Sequence, residues 1–318
     1  MKTTVVCDLL GIKYPILQGG MLWLADGGLA AAVSSAGGLG VISPLAGCRP
    51  HGDAVQNLST QIDRAGAVTS RPLGVNLPLD LREIDLLLDL ILARGIGIVV
   101  TSAGSPALYT DLLKSCGVRV LHVVSSVKQA VKAKSAGVDA VIAAGVESGA
   151  RNGHDEIPLF SLIPQVADHV DIPVIAAGGI ADARGMVAAM ALGAHGVQLG
   201  TRFLASRECI AHENYKKAVI EAGDTDTVIT LRSLIPSRSL KNTPFTRKLM
   251  ALEASGSTPD EIRQVLGHAA SRRAGLEGDL STGEAYCGSS AGLIREILPA
   301  ADIIRLLVEG WDRIVTDL

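Results

Sequence analysis

The residues best suited to hold an anion lie in two short stretches, Ala177-Gly178-Gly179 and Leu199-Gly200-Thr201. Each ends an apolar run. Glycine lets main-chain N–H groups approach an oxyanion closely, and the Thr201 hydroxyl adds a donor. A helix beginning near Asp182 or Ala183 would add the positive end of its dipole. Together these residues suit a phosphate, whereas in either stretch alone glycine could merely permit a tight turn. Further forward, Gly19-Gly20 followed by Met21 would let a flat ring lie against the backbone. Asn76 could then hydrogen-bond the ring's polar edge, or simply satisfy its own loop.

Acid–base candidates are fewer. His122 sits inside an apolar run, where a histidine is by default a satisfied core residue and only second a catalytic one. Glu147 follows another apolar run and is either a buried acceptor or a loop charge. His51, His169, His195, His212 and His268 fall in helix or turn contexts without metal-ligand spacing.

Positioning these residues requires a repeated unit. Eight apolar, β-branched runs occur at 15–19, 39–43, 73–77, 98–102, 120–124, 140–144, 173–177 and 196–199. Each is too short and too uniformly apolar for an exposed helix, as expected of strands buried on both faces. Helical patterns at 28–36, 84–93, 127–136 and 183–192 separate them. Strand alternating with helix implies parallel pairing and right-handed crossovers. A dinucleotide-type G-x-G-x-x-G after the first strand is absent, so closure into a (β/α)8 TIM barrel is preferred to an open sheet. In such a barrel the site lies at the C-terminal strand ends, where all the glycine stretches fall.

The expected domains are a barrel over residues 1–206, a helical insertion over 207–283 that caps the barrel mouth, and a returning segment over 284–318. The insertion shows helical patterns at 213–222, 245–254 and 259–266. The last helix, 300–315, carries apolar residues at helical spacing and would close the barrel.

Composition narrows the function. Apolar residues make up 48% of the 318, and charged residues 19%, enough for a large core. With 3% aromatics, a net charge of −3 and no dense Lys/Arg run, nucleic acid is not an expected partner. The five scattered cysteines, odd in number and without C-x-x-C, suit neither a disulfide framework nor a zinc site. No signal-peptide core or membrane-length apolar stretch is evident, so a soluble cytoplasmic protein acting on a small molecule is expected. A homodimer is left open.

In this order, the strand endings resemble the flavin-dependent nitronate monooxygenase family, formerly the 2-nitropropane dioxygenases. It includes the flavin-type enoyl-acyl-carrier-protein reductases and some NAD(P)H:quinone reductases. The resemblance is carried by PILQGGMLWLADGGLAAAVSSAGGLGVIS, PLGVNLPL, DIPVIAAGGIADARG and GVQLGTRFLAS. It implies FMN, with NADH or NADPH as a candidate electron donor. The FMN phosphate would rest on Gly178, Gly179, Gly200 and Thr201, beside Ala177 and Leu199. Gly20, Met21 and Asn76 would line the ring, with Glu147, Gly149 and Ala150 on the sixth-strand loop. Where the family usually reads Gly-Gly-His-x-Gly, this chain has Gly149-Ala150-Arg151-Asn152-Gly153. Arg151 thus stands in place of a histidine and stays protonated, suiting it to clamp an oxyanion rather than exchange protons. His154 is the next candidate in that loop, after Arg151 and alongside His122. Ala144 replaces an acidic residue frequent in the family, and His122-Val123-Val124 lacks the quinone-reductase lysine.

The resulting expectation is an FMN-dependent oxidoreductase, with nitronate oxidation first, enoyl-thioester reduction second and quinone reduction third. Readings of another class are a lyase or isomerase barrel gripping its substrate's phosphate, and a non-catalytic flavin-binding protein.

Overall fold

Eight short runs pair side by side in one parallel sheet. They are β1 (Ile16–Gln18), β2 (Gly40–Ile42), β3 (Leu73–Pro78), β4 (Ile98–Ser102), β5 (Arg119–Val124) and β6 (Ala140–Ala144), then, after a two-residue strand β7 (Ala150–Arg151), β8 (Val174–Ala177) and β9 (Gly196–Leu199). The computed structural model describes residues 3–49, 52–267 and 269–317, which leaves out His51 and His268. The spatial order β1-β9-β8-β6-β5-β4-β3-β2 becomes a ring through the parallel bridge Leu17–Leu39, with Gln18 N–H donating to the Leu39 carbonyl at 2.9 Å. This is the (β/α)8 barrel. β8 and β9 are its seventh and eighth strands.

Because parallel strands are covered on both faces, alternate residues enter two separate cores. Leu17, Val41, Val100, Leu121, Ile142 and Ile175 fill the barrel interior. Ile16, Val75, Val99, Val120, Val141 and Val197 meet the helices outside. Those helices are α2 (Gly27–Ser35), α3 (Ala54–Gly66), α4 (Ile84–Ala93), α5 (Thr110–Ser115), α6 (Val127–Ser135), α7 (Leu159–Ala167) and α8 (Ala183–Ala191), preceded in the chain by α1 (Val5–Leu10). Helix α1 lies across the bottom of the barrel. Val6, Cys7 and Leu10 join the interior core, and Thr4 Oγ1 donates to the carbonyl of His195, just before β9. The N-terminal end is thereby stoppered, which leaves the C-terminal end as the mouth.

The final helix, Ala300–Asp317, packs on α8 and α2, with Ile303, Ile304 and Leu307 buried. The insertion differs from its expected all-helical character. Besides helices Glu213–Ile220, Pro244–Ala254 and Pro259–Leu266, it holds the antiparallel strands β10 (Thr227–Thr230) and β11 (Ser237–Leu240). β11 also pairs with β7, Ser237 opposite Arg151 and Arg238 opposite Ala150. A strand that needs a partner more than eighty residues away leaves no local periodic signal. Among the described residues, no helix is long and apolar enough to cross a membrane.

Candidate active site at the barrel mouth

At the C-terminal strand ends the inward positions are Asn76, Val123, Ala144, Ala177 and Gln198, each flanked by residues that face the helices or continuing an interior row. Gly20 lies directly on Asn76, where an added Cβ would come within 2.3 Å of the asparagine Cβ. Gly19 leaves 3.5 Å between its missing Cβ and the Gln198 side chain. Met21 is half-buried beside them, and its carbonyl accepts from Leu24 and Ala25 N–H in the turn that follows. Gln198 Oε1 is buried without a hydrogen-bond partner. An orphaned acceptor above two glycines fits a flat ring with N–H donors, because an unpaired buried carbonyl costs about 1–3 kcal/mol.

The glycine-rich corner expected to hold an anion is next to it. Gly178 and Gly179 have φ of +101° and +70°, conformations that favour glycine. Their missing Cβ atoms are not equivalent to that of Gly200. At Gly178 a Cβ would sit 2.8 Å from the Ser148 nitrogen, and at Gly179 it would sit 3.2 Å from the Glu147 Cβ, whereas at Gly200 it meets nothing within 4 Å. Only Gly200 faces open space. Thr201 Oγ1 accepts from Gly288 N–H at 3.0 Å, so the segment after the insertion forms a third wall of the corner. Gly149 packs on that wall, its missing Cβ 2.8 Å from the Gly288 nitrogen. The Asp182 side chain accepts from Arg184 N–H at 2.9 Å and caps α8 itself, so the helix end offers an anion less than its position suggested. A cavity of about 400 Å³ adjoins this corner outside the rim, lined by Glu147, Gly179, Ile180, Asp224 and Ser289.

The loop after β6 departs furthest from expectation. The Glu147 carboxylate accepts from Leu159 N–H at 2.9–3.0 Å, capping α7, so it orders the loop. Ala150 has φ +68°. A Cβ in the left-handed region costs roughly 1–2 kcal/mol, of which glycine's extra unfolded-state freedom offsets part. Ala150→Gly is therefore expected to stabilise the protein by about 1 kcal/mol, read as a raised melting temperature at unchanged spectrum. Arg151 is exposed, and its guanidinium donates to Asp80 just beyond β3 at 2.9 Å, reaching over the rim. His154 is exposed in the same loop.

Two other expected site residues point elsewhere. His122 lies between Leu121 and Val123, which face the interior, so its ring is directed into the strand–helix layer with Val120 and Val124. There Nδ1 is 2.7 Å from Thr101 Oγ1. Burial, and then the charge of Lys132, lowers its pKa to about 4, leaving a neutral core histidine. The Leu199 side chain also enters the helix layer, and only its carbonyl reaches the site, accepting from Gly19 N–H at 2.9 Å. His195 and His212 accept from the main-chain N–H of Val174 and Asn214, and His169 pairs with the Gln165 carbonyl.

Several residues of the rim were not singled out from sequence. Arg238 of β11 donates through Nε to the Val146 carbonyl at 2.8 Å. Tyr286 pairs with Ser239 as a bridge on the β7 edge of β11, and Glu284, 2% exposed, accepts from Ser239 Oγ at 3.4 Å. Burial pushes the Glu284 carboxyl up to about 7, against hydrogen bonds from Tyr286 and Ser239 and the charge of Arg151. Burial and the neighbouring Glu284 push the Tyr286 phenol up as well. The only sequence signal is an acid within the otherwise small and apolar stretch Gly283–Gly288.

This geometry has counterparts among known proteins. Residues 3–85 and 82–310 match the family described as nitronate monooxygenase. A probable nitronate monooxygenase of Staphylococcus saprophyticus is 32% identical over 93% of this chain and 94% of its own. The (3aS,4S,5R,7aS)-5-hydroxy-7a-methyl-1-oxo-octahydro-1H-indene-4-carboxyl-CoA dehydrogenase of Rhodococcus jostii is 34% identical over 80% of this chain and 69% of its own. Among solved structures, FabK from Thermotoga maritima has a TM-score of 0.92 at 42% identity, covering 100% of this chain and 98% of that one. Nitroalkane oxidase from Streptomyces ansochromogenes has a TM-score of 0.82 at 28% identity, covering 98% and 99%. Matched in sequence and in fold along nearly its whole length, this chain is an oxidoreductase belonging to the nitronate monooxygenase family.

Proposed function

We propose that this chain is an FMN-dependent, NAD(P)H-driven reductase of α,β-unsaturated acyl thioesters rather than a nitronate oxidase. The observation that carries this reading is the 42% identity to FabK, an enoyl-acyl-carrier-protein reductase, across the entire chain. The nitroalkane oxidase shares only 28% over a similar span. The Rhodococcus relative, by its name, also acts on an acyl-CoA thioester. This order reverses the one expected from sequence.

In this reading Gly178, Gly179, Gly200 and Thr201 hold the phosphate of FMN, with Gly20, Met21, Asn76 and Gln198 around its ring. When bound, FMN supplies the two-electron chemistry that links pyridine nucleotide to the carbon–carbon double bond. Arg151 offers a planar cation to the thioester oxygen, where charge builds as the double bond is reduced. The insertion covers the mouth and limits access of water to the ring.

The test is an anaerobic spectrum of the purified yellow protein. NADH or NADPH is expected to bleach it, and crotonyl-CoA to restore the colour with formation of butyryl-CoA. Failure of both nucleotides to bleach the protein, with bleaching by a nitronate instead, would overturn the reading.

A further inference from the structure

The arginine that replaces the family histidine leaves the barrel mouth without the usual proton donor. His122, turned into the helix layer, does not take that place, and His154 is exposed in the loop. The face of the small sheet that carries Arg151 does offer one. Along one edge of β11, Ser237 is opposite Arg151 and Ser239 is opposite Tyr286. Paired residues share a face, and so do residues two apart in a strand. Arg151, Ser237, Ser239 and Tyr286 therefore project to the same side, with Glu284 two residues before Tyr286.

The contacts agree with this parity. Glu284 interacts with Ser239 and, by a side-chain hydrogen bond, with Tyr286, whose hydroxyl also interacts with Ser237. Arg151 acts electrostatically on both Glu284 and Tyr286. The strand continues into Cys287 and Gly288, whose N–H binds Thr201 in the anion corner, so Tyr286 is two residues from that wall. Glu284 is almost wholly buried, whereas Tyr286 retains partial exposure at its edge. A buried acid thus stands behind a half-buried tyrosine on the face of the small sheet that carries Arg151.

We propose that Tyr286 and Glu284 deliver the proton in this site, the Tyr286 hydroxyl giving it to the substrate and the Glu284 carboxyl replacing it. The assignment rests on the thioester-reductase reading. In the balanced reaction NAD(P)H is oxidised to NAD(P)+ and its hydride equivalent reaches one carbon of the double bond. The π bond breaks, and the other carbon forms a C–H bond with the Tyr286 proton. The tyrosinate takes the Glu284 proton, and the carboxylate is reloaded from water. Arg151 stabilises the transient anion on the same face. Glu284 is set up to hold this proton near neutral pH, because burial raises its carboxyl while Tyr286, Ser239 and Arg151 oppose the shift. The buried Tyr215 phenol also feels the Glu284 charge, which adds to the upward push of its burial.

Tyr286→Phe and Glu284→Gln holoenzymes test the assignment, with NADPH and crotonyl-CoA followed separately in stopped flow. Tyr286→Phe is expected to slow recolouring by crotonyl-CoA by about a hundredfold, the scale of general acid catalysis, with the loss concentrated in that half-reaction. The parent's recolouring rate should fall as pH rises through about 7, and that of Glu284→Gln should not follow it. A second readout needs no turnover. A carboxyl raised on folding stabilises most below its usual pKa, and that stabilisation is lost as pH rises to the folded value. Melting temperatures of parent and Glu284→Gln should therefore separate between about pH 4.5 and about 7, the parent falling, and run parallel above. Parental recolouring rates and pH profile in Tyr286→Phe, or parallel melting curves throughout that window, would overturn the pair. A parent that crotonyl-CoA never recolours overturns the reductase reading itself, a different result from a defect confined to the variants.

Discussion

Gly200→Val is expected to yield a folded protein that purifies without flavin. At this glycine an added Cβ meets no atom within 4 Å, and φ is −103°, so neither packing nor backbone opposes a side chain. The valine would occupy the space between the N–H groups of the β8 and β9 ends, where the phosphate is placed. Loss of two charge-assisted hydrogen bonds, about 1.5–3 kcal/mol each, weakens binding by at least a hundredfold. Far-ultraviolet circular dichroism and melting should stay near parental while the 450 nm region (roughly where flavins absorb) goes flat. Gly178→Val would be a poorer probe, because its Cβ would collide with the Ser148 main chain at 2.8 Å and damage the loop directly. Full flavin occupancy in Gly200→Val would place the phosphate elsewhere.

Arg151→Glu should have the second largest effect, and it should fall on substrate rather than on the fold. The ion pair with Asp80 is about half exposed on both sides, 51% and 47%, and exposed pairs contribute only about 0–1 kcal/mol. Melting should therefore change little. For a thioester oxygen gaining charge, exchanging a cation for an anion is far more costly. A loss of about a hundredfold or more in kcat/KM for crotonyl-CoA is expected, with Arg151→Lys intermediate because it keeps charge but not the planar donor pair. Arg151 also pulls the Glu284 carboxyl down, so its removal should move that group further up and shift the pH profile toward higher pH. If both variants match the parent in affinity, rate and pH profile, Arg151 serves only as a surface partner for Asp80.

Neither expectation changes the part of the barrel that was legible from residues alone. Ile98–Ser102 and Ala140–Ala144 were delimited correctly because strands covered on both faces must be apolar throughout, and such runs stand out. Ile84–Ala93 and Pro259–Leu266 were equally clear, the latter opened by the reciprocal Thr258–Glu261 capping box. The glycine stretches could be placed at the mouth because a parallel barrel puts every strand's C-terminal end on one side. The same both-face burial hid the direction of His122. When every neighbour is apolar, no alternation marks which residues face inward, and the parity of β5 is settled only by its partners in the ring. The insertion was opaque for a related reason. β10 and β11 are only four residues each, and β11 is held by Ala150-Arg151 and by Tyr286, contacts distant in the chain. Its pairing puts Arg151 and Tyr286 on one face. Composition and local spacing determined the barrel and the side on which its glycine-rich strand ends lie. The chemistry of the rim was decided by tertiary pairing, because side chains from three separate segments share a face only once β11 lies between them.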